Sequence, residues 1–127
     1  LLGELAPGDG RVLELPAGLA GDAESPADEP FEEAARRELV EETGWDAKTM
    51  ERLTSGPPSA GVTSEVVTVF RARGLSRVGA GGGVAGEAIT VHEIPLATAE
   101  EFLREREAGG ALVDPKVWAG LWFALRP

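Results

Sequence analysis

Three glutamates, Glu38, Glu41 and Glu42, lie within about one helical turn of each other, between Arg37 and Gly44. Residues spaced by three and four positions project from the same side of a helix. Like charges at these spacings destabilise a helix by about 0.2–0.5 kcal/mol per pair, and a hard divalent cation such as Mg²⁺, which prefers oxygen ligands, would remove that penalty. The spacing therefore predicts a metal-binding helix, and a solvated acidic face is the alternative.

Composition limits the classes of function. The chain has 127 residues, and we expect residues 1–127 to form one domain. Its net charge of −10, without a basic cluster, argues against binding to a nucleic-acid backbone. The absence of cysteine excludes disulfides and thiolate metal sites. No apolar run or leader pattern is visible, so we expect a cytoplasmic protein without a membrane segment.

The elements that must position the glutamates alternate along the chain. A strand over Arg11–Leu15 is followed by a loop over Leu19–Asp28. A helix then begins near Glu29-Pro30, with Asp28 available as its cap, and ends before the glycine C-cap Gly44. The carboxylates therefore occupy the last two turns of this helix.

Further strands and helices follow. The predicted elements are strands over Met50–Ser55, Glu65–Arg73 and Ala88–Ile94, a helix from a capping box at Thr98 to Ala108, and a last helix opened by Asp114-Pro115. One face of the last helix carries the apolar residues Trp118, Leu121, Trp122 and Leu125, which we expect to pack in the core. The alternation predicts an α/β fold with a mixed sheet.

Glu29, then seven residues, then Arg37-Glu38-Leu39-x-Glu41-Glu42-x-Gly44-Trp45 resembles the signature of the Nudix hydrolases. The signature also has a glycine separated by five residues from the first glutamate, where this chain has Ala23. A turn that resembles the start of the motif, Pro16-Ala17-Gly18, lies farther upstream. We interpret the difference as a five-residue insertion within Ala20–Asp28. The resemblance implies a Nudix-type α/β/α sandwich with a mixed β-sheet, and we expect part of its N-terminal sequence to be missing.

The resemblance also implies roles for the metal site. Nudix-type enzymes cleave a pyrophosphate with the help of divalent ions, here Mg²⁺, with Mn²⁺ possible in its place. Glu38 and Glu42 would be the main side-chain ligands, with Glu41 as a third. The backbone carbonyl of Ala17 would complete one coordination shell. On this basis Glu42 and Glu41 are both metal-ligand and catalytic candidates.

Other signature residues would support these ligands. Arg37 would hold a ligating glutamate in its rotamer and so contribute to catalysis. Glu29 would brace the loop against the helix, for which a solvated side chain is the alternative. Gly18 and Gly44 would be structural, at the turn before the loop and at the end of the helix.

Two later segments bear on the substrate. Residues 59–65 resemble a loop of ADP-ribose pyrophosphatases, and residues 79–95 resemble the branch that hydrolyses UDP-glucose or GDP-mannose. In that branch a glutamate on a mobile loop approaches the metals, which makes Glu87 a candidate general base or further ligand. An exposed loop charge is the alternative. Glu65 is the competing candidate and a candidate substrate contact.

Three further features have simpler explanations. The glycine run at residues 78–86 lacks the Lys-Ser/Thr of a phosphate-binding loop, so we interpret it as a flexible loop. His92 is the only histidine, and its place in an alternating strand predicts a structural or surface role. Asp114 is best explained as a helix cap.

The sequence therefore predicts a Mg²⁺-dependent hydrolase of a nucleoside-diphosphate sugar, ADP-ribose or a related compound. The products would be a nucleoside monophosphate and a sugar phosphate, and the family branch implies a homodimer. Three alternatives stay open: a hydrolase of oxidised nucleoside triphosphates, a module that binds nucleotide sugars without hydrolysis, and a structural acidic helix.

Overall fold

The computed structural model describes residues 1–5, 11–21, 28–84 and 86–127. Position Ala23 and most of the expected insertion lie outside these residues. The elements, in chain order, are β1 Leu2–Leu5, β2 Val12–Glu14, α1 Phe31–Thr43, β3 Trp45–Gly56, β4 Val67–Arg77, β5 Thr90–His92, a 3-10 turn Leu96–Thr98, α2 Ala99–Ala108, β6 Leu112–Val113 and α3 Pro115–Ala124. Among the described residues, no helix is both long and apolar enough to cross a membrane.

Four of the strands form a mixed sheet in the order β5-β1-β2-β6. Strand β1 runs antiparallel to both β5 and β2, whereas β2 and β6 are parallel. The two longest strands, β3 and β4, form a separate antiparallel hairpin with a register shift between Arg52 and Thr54. Helix α1 packs against this hairpin, and α3 contacts β2 of the mixed sheet. This arrangement confirms the α/β fold and the mixed sheet.

The core lies on the mixed sheet. Its buried residues are Leu2, Leu13, Leu103 and Val117, which come from β1, β2, α2 and α3. Between this core and the hairpin lies a cavity of about 310 Å³ whose lining is mostly apolar. Pro16 and Ala17, which follow β2, lie at its wall, and the next contacts of this turn are those of Ala17 with Glu42 and Gly18 with Glu38.

The expected core face of α3 is wrong for two of its four residues. Trp118 and Leu121 pack against the core, but Trp122 and Leu125 are 52% and 54% exposed. The buried residue is Val117, which is 2% exposed. The helix contacts β2 through a face rotated towards Val117, and the hydrophobic pattern of α3 alone does not determine which side meets the sheet.

Of the three N-terminal helix caps expected from the sequence, all at described residues, two are absent and one is present. Helix α1 begins at Phe31 with Pro30 as its N-cap, and no side chain caps it, so the prediction of Asp28 as the cap is wrong. Thr98 precedes α2 but makes no cap hydrogen bond to the helix; its hydroxyl donates to the Pro95 carbonyl at 3.3 Å. The cap at Asp114 is confirmed, since its carboxylate accepts from the Lys116 amide at 2.8 Å.

Candidate functional site

The position of α1 is fixed by one apolar side and by its last turn. Ala34, Leu39 and Thr43 are buried, and the Thr43 hydroxyl donates to the Leu39 carbonyl at 2.5 Å. Gly44 ends the helix with a φ of 75° and donates its amide to Val40 at 2.8 Å, which confirms the glycine C-cap. Because this side faces the hairpin, the signature glutamates lie on the sides of the helix that remain partly accessible.

Arg37 connects the loop to the helix glutamates. Its guanidinium donates to both carboxylate oxygens of Glu29, at 3.1 and 3.2 Å, and to the Leu19 carbonyl at 3.1 Å. The same group donates to Glu38 at 2.7 Å and to Glu41 at 3.3 Å. The hydrogen bond to Glu29, followed by that to Glu38, raises the pKa of Arg37 above its usual value. One fixed cation thus orients three carboxylates.

Glu29 lies between the loop and this arginine. Its side chain is only 6% exposed, and its second oxygen accepts the amide of Gly21 at 3.3 Å. A buried carboxylate needs such partners, because desolvating an unpaired charge is costly. The structure therefore places Glu29 among the residues that connect residues 19–21 to α1, and away from the open side of the site.

Gly18 lies against the carboxylate of Glu38. A Cβ built at Gly18 would overlap the Glu38 carboxyl group, so a larger residue here would displace the Glu38 side chain from its present rotamer. The Glu38 side chain is 12% exposed and is held on its other side by Arg37. The turn after β2 and the middle of α1 therefore meet at Glu38.

Glu42 is the carboxylate with the most unusual environment. Burial is the main cause that raises its pKa, to about 7, and the charges of Glu38, Glu87 and Glu14 raise it further. The backbone amide of Ala17 donates to Glu42 and lowers the pKa, but does not offset these effects. The structure thus gathers three carboxylates from three parts of the chain around one half-buried acid.

Glu14 was not among the residues singled out from the sequence. It lies on β2, next to the fully buried Leu13, and its charge acts on Glu42. Neighbouring residues of a strand point to opposite faces, so a buried Leu13 leaves Glu14 on the other side of the sheet. That alternation, together with the proximity of β2 to the signature turn, is the signal that would have pointed to it.

Residues 78–83 of the glycine run are bonded to the end of α1, a contact that the prediction of a flexible loop did not include. Four main-chain hydrogen bonds join them: Val78 and Gly79 to the Gly44 carbonyl at 2.8 and 3.1 Å, Gly82 to the Glu42 carbonyl at 2.7 Å, and Gly83 to the Glu41 carbonyl at 3.1 Å. Glycines allow the two backbones to approach closely, and the amides satisfy carbonyls that a helix end leaves unpaired.

The remaining candidates lie in different surroundings. Glu65 is exposed between β3 and β4, its amide bonded to Thr63, and it is not among the charges that act on Glu42. His92 lies on β5 within 2.8 Å of Glu4 and beside the ring of Phe102, a structural position in the mixed sheet. Neither residue joins the group around Glu42.

The donor set suits a hard divalent cation. Carboxylate oxygens are the ligands such ions prefer, and a half-buried acid whose pKa is raised by neighbouring acids marks a region of negative potential. Glu38 and Glu41 are turned towards Arg37, and within the described part of the chain no three acidic or histidine side chains converge closely enough to hold a metal as they stand. The residues fit the ion by chemistry and would close around it by changes of rotamer.

Comparison with known proteins identifies the family. Residues 3–109 match the model of the NUDIX domain. The chain is 37% identical over 110 residues to a GDP-mannose pyrophosphatase of Cronobacter sakazakii, covering 85% of this chain and 52% of the relative. It is 38% identical over 109 residues to that of an Enterobacter species, covering 83% and 54%. A methanol dehydrogenase activator of Bacillus methanolicus is 32% identical over 101 residues, covering 79% and 52%.

The chain spans about half the length of these relatives. The family match covers most of the chain and includes the carboxylate helix, Arg37 and the glycine segment. The GDP-mannose pyrophosphatase relatives agree with the resemblance to the sugar-nucleotide branch. The chain belongs to the Nudix family.

Proposed function

We propose that this protein hydrolyses the pyrophosphate bond of a nucleoside-diphosphate sugar with the help of Mg²⁺. The observation that carries the proposal is the environment of Glu42, a half-buried acid surrounded by the charges of Glu38, Glu87 and Glu14 on the family's signature helix. Such a concentration of acids serves little purpose in packing, since each charge opposes its neighbours. It suits the binding of cations that accompany a pyrophosphate.

Each residue has a separate task in this mechanism. Bound Mg²⁺ would neutralise the pyrophosphate, stabilise the leaving phosphate and acidify a water. Glu38 and Glu42 would hold the ion, with Glu41 and the Ala17 carbonyl as further ligands. The Ala17 amide orients one oxygen of Glu42, and Arg37 orients Glu38 and Glu41. These contacts hold the carboxylates close to the site, and a change of rotamer would bring them onto the ion.

Glu87 is our candidate for the base that takes the proton of the attacking water. It lies on the loop after the glycine segment and close enough for its charge to raise the pKa of Glu42. Its carboxylate accepts the Val84 amide at 3.0 Å and is otherwise exposed, so it can reach a water at the open side of the site. Glu65 would need a larger movement of its loop to play this role.

The relatives favour GDP-mannose among the possible sugar nucleotides, since that is the compound in their names. ADP-ribose, the compound suggested first by the sequence, belongs to the same chemical class. We also propose a homodimer, as the family branch implies, and light scattering coupled to gel filtration measures it directly: a monomer mass would contradict that part of the proposal.

A panel of substrates tests the proposal. Purified protein with Mg²⁺ should convert GDP-mannose, ADP-ribose or UDP-glucose into a nucleoside monophosphate and a sugar phosphate, which chromatography and ³¹P NMR resolve. Turnover of an oxidised nucleoside triphosphate, without turnover of any sugar nucleotide, would favour the housecleaning alternative. Binding of GDP-mannose without turnover in the presence of Mg²⁺ and Mn²⁺ would indicate a binding module instead.

A further inference from the structure

The segment of residues 78–83 approaches α1 at a point where only glycines fit. Gly81 has a φ of 71°, and a Cβ built there would lie 2.7 Å from the Thr43 carbonyl oxygen and 2.8 Å from the Gly44 amide nitrogen. A Cβ at Gly44 would in turn overlap the Gly79 carbonyl. Real Cβ contacts are longer than these, so a methyl group at either position must push the two backbones apart.

The same segment leads directly to Glu87. The amide of Ile89 donates to Gly82 at 3.3 Å, which closes the loop, and the amide of Glu87 donates to Val84 at 3.0 Å. The Val84 amide returns a hydrogen bond to the Glu87 carboxylate at 3.0 Å. A Cβ at Gly83 would meet the Glu87 side chain, 2.8 Å from its Cβ. Gly82 and Gly83 are therefore bonded to the end of α1, and the next residue, Val84, is bonded to the Glu87 carboxylate.

The residues of α1 that receive these bonds are the signature glutamates themselves. The carbonyls of Glu41 and Glu42 accept the amides of Gly83 and Gly82, at 3.1 and 2.7 Å. The two glutamates thus direct their side chains to the site while their backbones hold the loop that carries Glu87. A displacement of the loop would change the distance between Glu87 and Glu42 without changing any side chain.

We propose that residues 78–83 form a clamp that fixes Glu87 relative to the carboxylates of α1, and that Gly44 and Gly81 are its positioning residues. The catalytic part of this inference rests on the proposed function. A loop held at both the helix end and the carboxylate keeps the base in place and limits its reorganisation during the reaction. The clamp itself is a property of the metal-free protein.

The substitution Gly81→Ala tests the clamp, with Gly110→Ala as the matched control. Both glycines have a positive φ, 71° and 90°, so both variants bear the cost of a left-handed alanine. A Cβ at Gly110 meets open space, whereas one at Gly81 meets the backbone of Thr43. Differences between the two variants therefore report the contact with α1 alone.

Amide hydrogen exchange in metal-free protein is the first measurement. In Gly81→Ala the amides of Gly82 and Gly83 should exchange about tenfold faster or more, because their bonds to α1 open more often. In Gly110→Ala they should exchange as in the wild type. Unchanged exchange in folded Gly81→Ala would overturn the clamp, and this result needs no substrate.

Kinetics with a turned-over sugar nucleotide is the second measurement. Gly81→Ala should lower kcat by up to about 100-fold, the cost of misplacing a catalytic group by about 1 Å, with KM little changed. In a protein that already carries Glu87→Gln, Gly81→Ala should lower kcat much less, since both substitutions act on proton transfer by Glu87. An equal loss in both backgrounds would overturn the positioning role.

A second variant guards against a folding failure of Gly81→Ala. Gly83 also has a positive φ, 88°, but the atoms nearest to a methyl group there belong to the side chains of Glu87 and Ile89 and not to the backbone of α1, so Gly83→Ala should fold more readily than Gly81→Ala and still lower kcat. Wild-type kcat in folded Gly83→Ala would contradict the proposal. Failure of the proposed function has a different result, which is the absence of turnover by the wild type itself.

Discussion

At the scale of single residues, opposing effects meet at Glu42. Burial and the charges of Glu38, Glu87 and Glu14 favour its protonated form, while the Ala17 amide favours the ionised form. The first group dominates, and the pKa lies at about 7. Because a carboxylate must lose its proton before it binds a cation, binding of a metal ion at Glu42 would compete with protonation near neutral pH.

This environment has a consequence for stability without metal. The folded chain retains a proton on Glu42 up to a pH of about 7, whereas the unfolded chain loses it near 4.5. The folded state therefore binds more protons between these values, and the Glu42 contribution to the free energy of unfolding should decrease as pH rises from 4.5 to 7. Urea unfolding in EDTA at several pH values in this range, compared between the wild type and Glu42→Gln, measures this contribution. An unchanged difference between the two proteins across this range would contradict the assignment.

Neighbouring arginines provide a matched test of how the ligands are held. Arg37 donates to Glu29, Glu38 and Glu41, whereas Arg36 makes an exposed pair with Asp46 at 2.6 and 2.9 Å. Lysine cannot reproduce the fork geometry. Arg37→Lys should therefore weaken Mg²⁺ binding about 10- to 100-fold in calorimetry.

The control, Arg36→Lys, should leave Mg²⁺ binding as in the wild type, because its exposed pair with Asp46 is screened by solvent and does not include the proposed ligands. Equal losses in the two variants would mean that Arg37 acts only through the general stability of α1. Equal affinities in all three proteins would remove Arg37 from the support of the ligands.

At the scale of elements, the end of α1 is the decisive junction. Its glycine C-cap was visible in the sequence, and so were the helix and the cap at Asp114, because each depends on residues a few positions apart. The docking of residues 78–83 on this end was not, since it depends on the approach of a segment more than thirty residues away. The sequence showed that residues 78–83 are rich in glycine, but it did not show that they lie against the end of α1.

Gly44 should be the least replaceable cap in the chain. Gly44→Ala combines a left-handed alanine with an overlap of the Gly79 carbonyl, so its cost should exceed the roughly 1–2 kcal/mol of the conformation alone. Gly61→Ala, with a φ of 81° and open space around the new methyl, gives the conformational cost by itself. Urea unfolding of both variants compares them. Equal losses of stability would show that the contact with Gly79 contributes nothing.

At the scale of the whole molecule, the mixed sheet holds the site through β2. The short strands β1 and β6, with four and two residues, were missed in the sequence because they depend on pairing with distant segments, β1 with β2 and β5, and β6 with β2. The rotation of α3 towards Val117 and the position of Glu14 beside Glu42 likewise depend on contacts between segments that are far apart in the sequence. Contacts between distant segments decide them, and local patterns carry little information about such contacts.

Leu13 tests how strongly this core supports the fold. It is fully buried on β2, so Leu13→Ala should reduce the free energy of unfolding by about 2–5 kcal/mol. Leu112→Ala is the control, since Leu112 lies on the paired strand β6 and is 64% exposed; its cost should stay within about 0.5 kcal/mol. Similar small costs for both variants in urea unfolding would contradict the assignment of the core.

The central claim is that the carboxylate helix performs a metal-dependent cleavage of pyrophosphate. The most direct test is the initial rate at which GDP-mannose yields a nucleoside monophosphate, measured for the wild type with Mg²⁺, the wild type with EDTA, and Glu42→Gln with Mg²⁺. We predict turnover in the first case only, with a loss beyond about 100-fold in Glu42→Gln, the upper limit for losing a ligand's hydrogen-bond partner. Wild-type rates in Glu42→Gln, or in EDTA, would contradict the account.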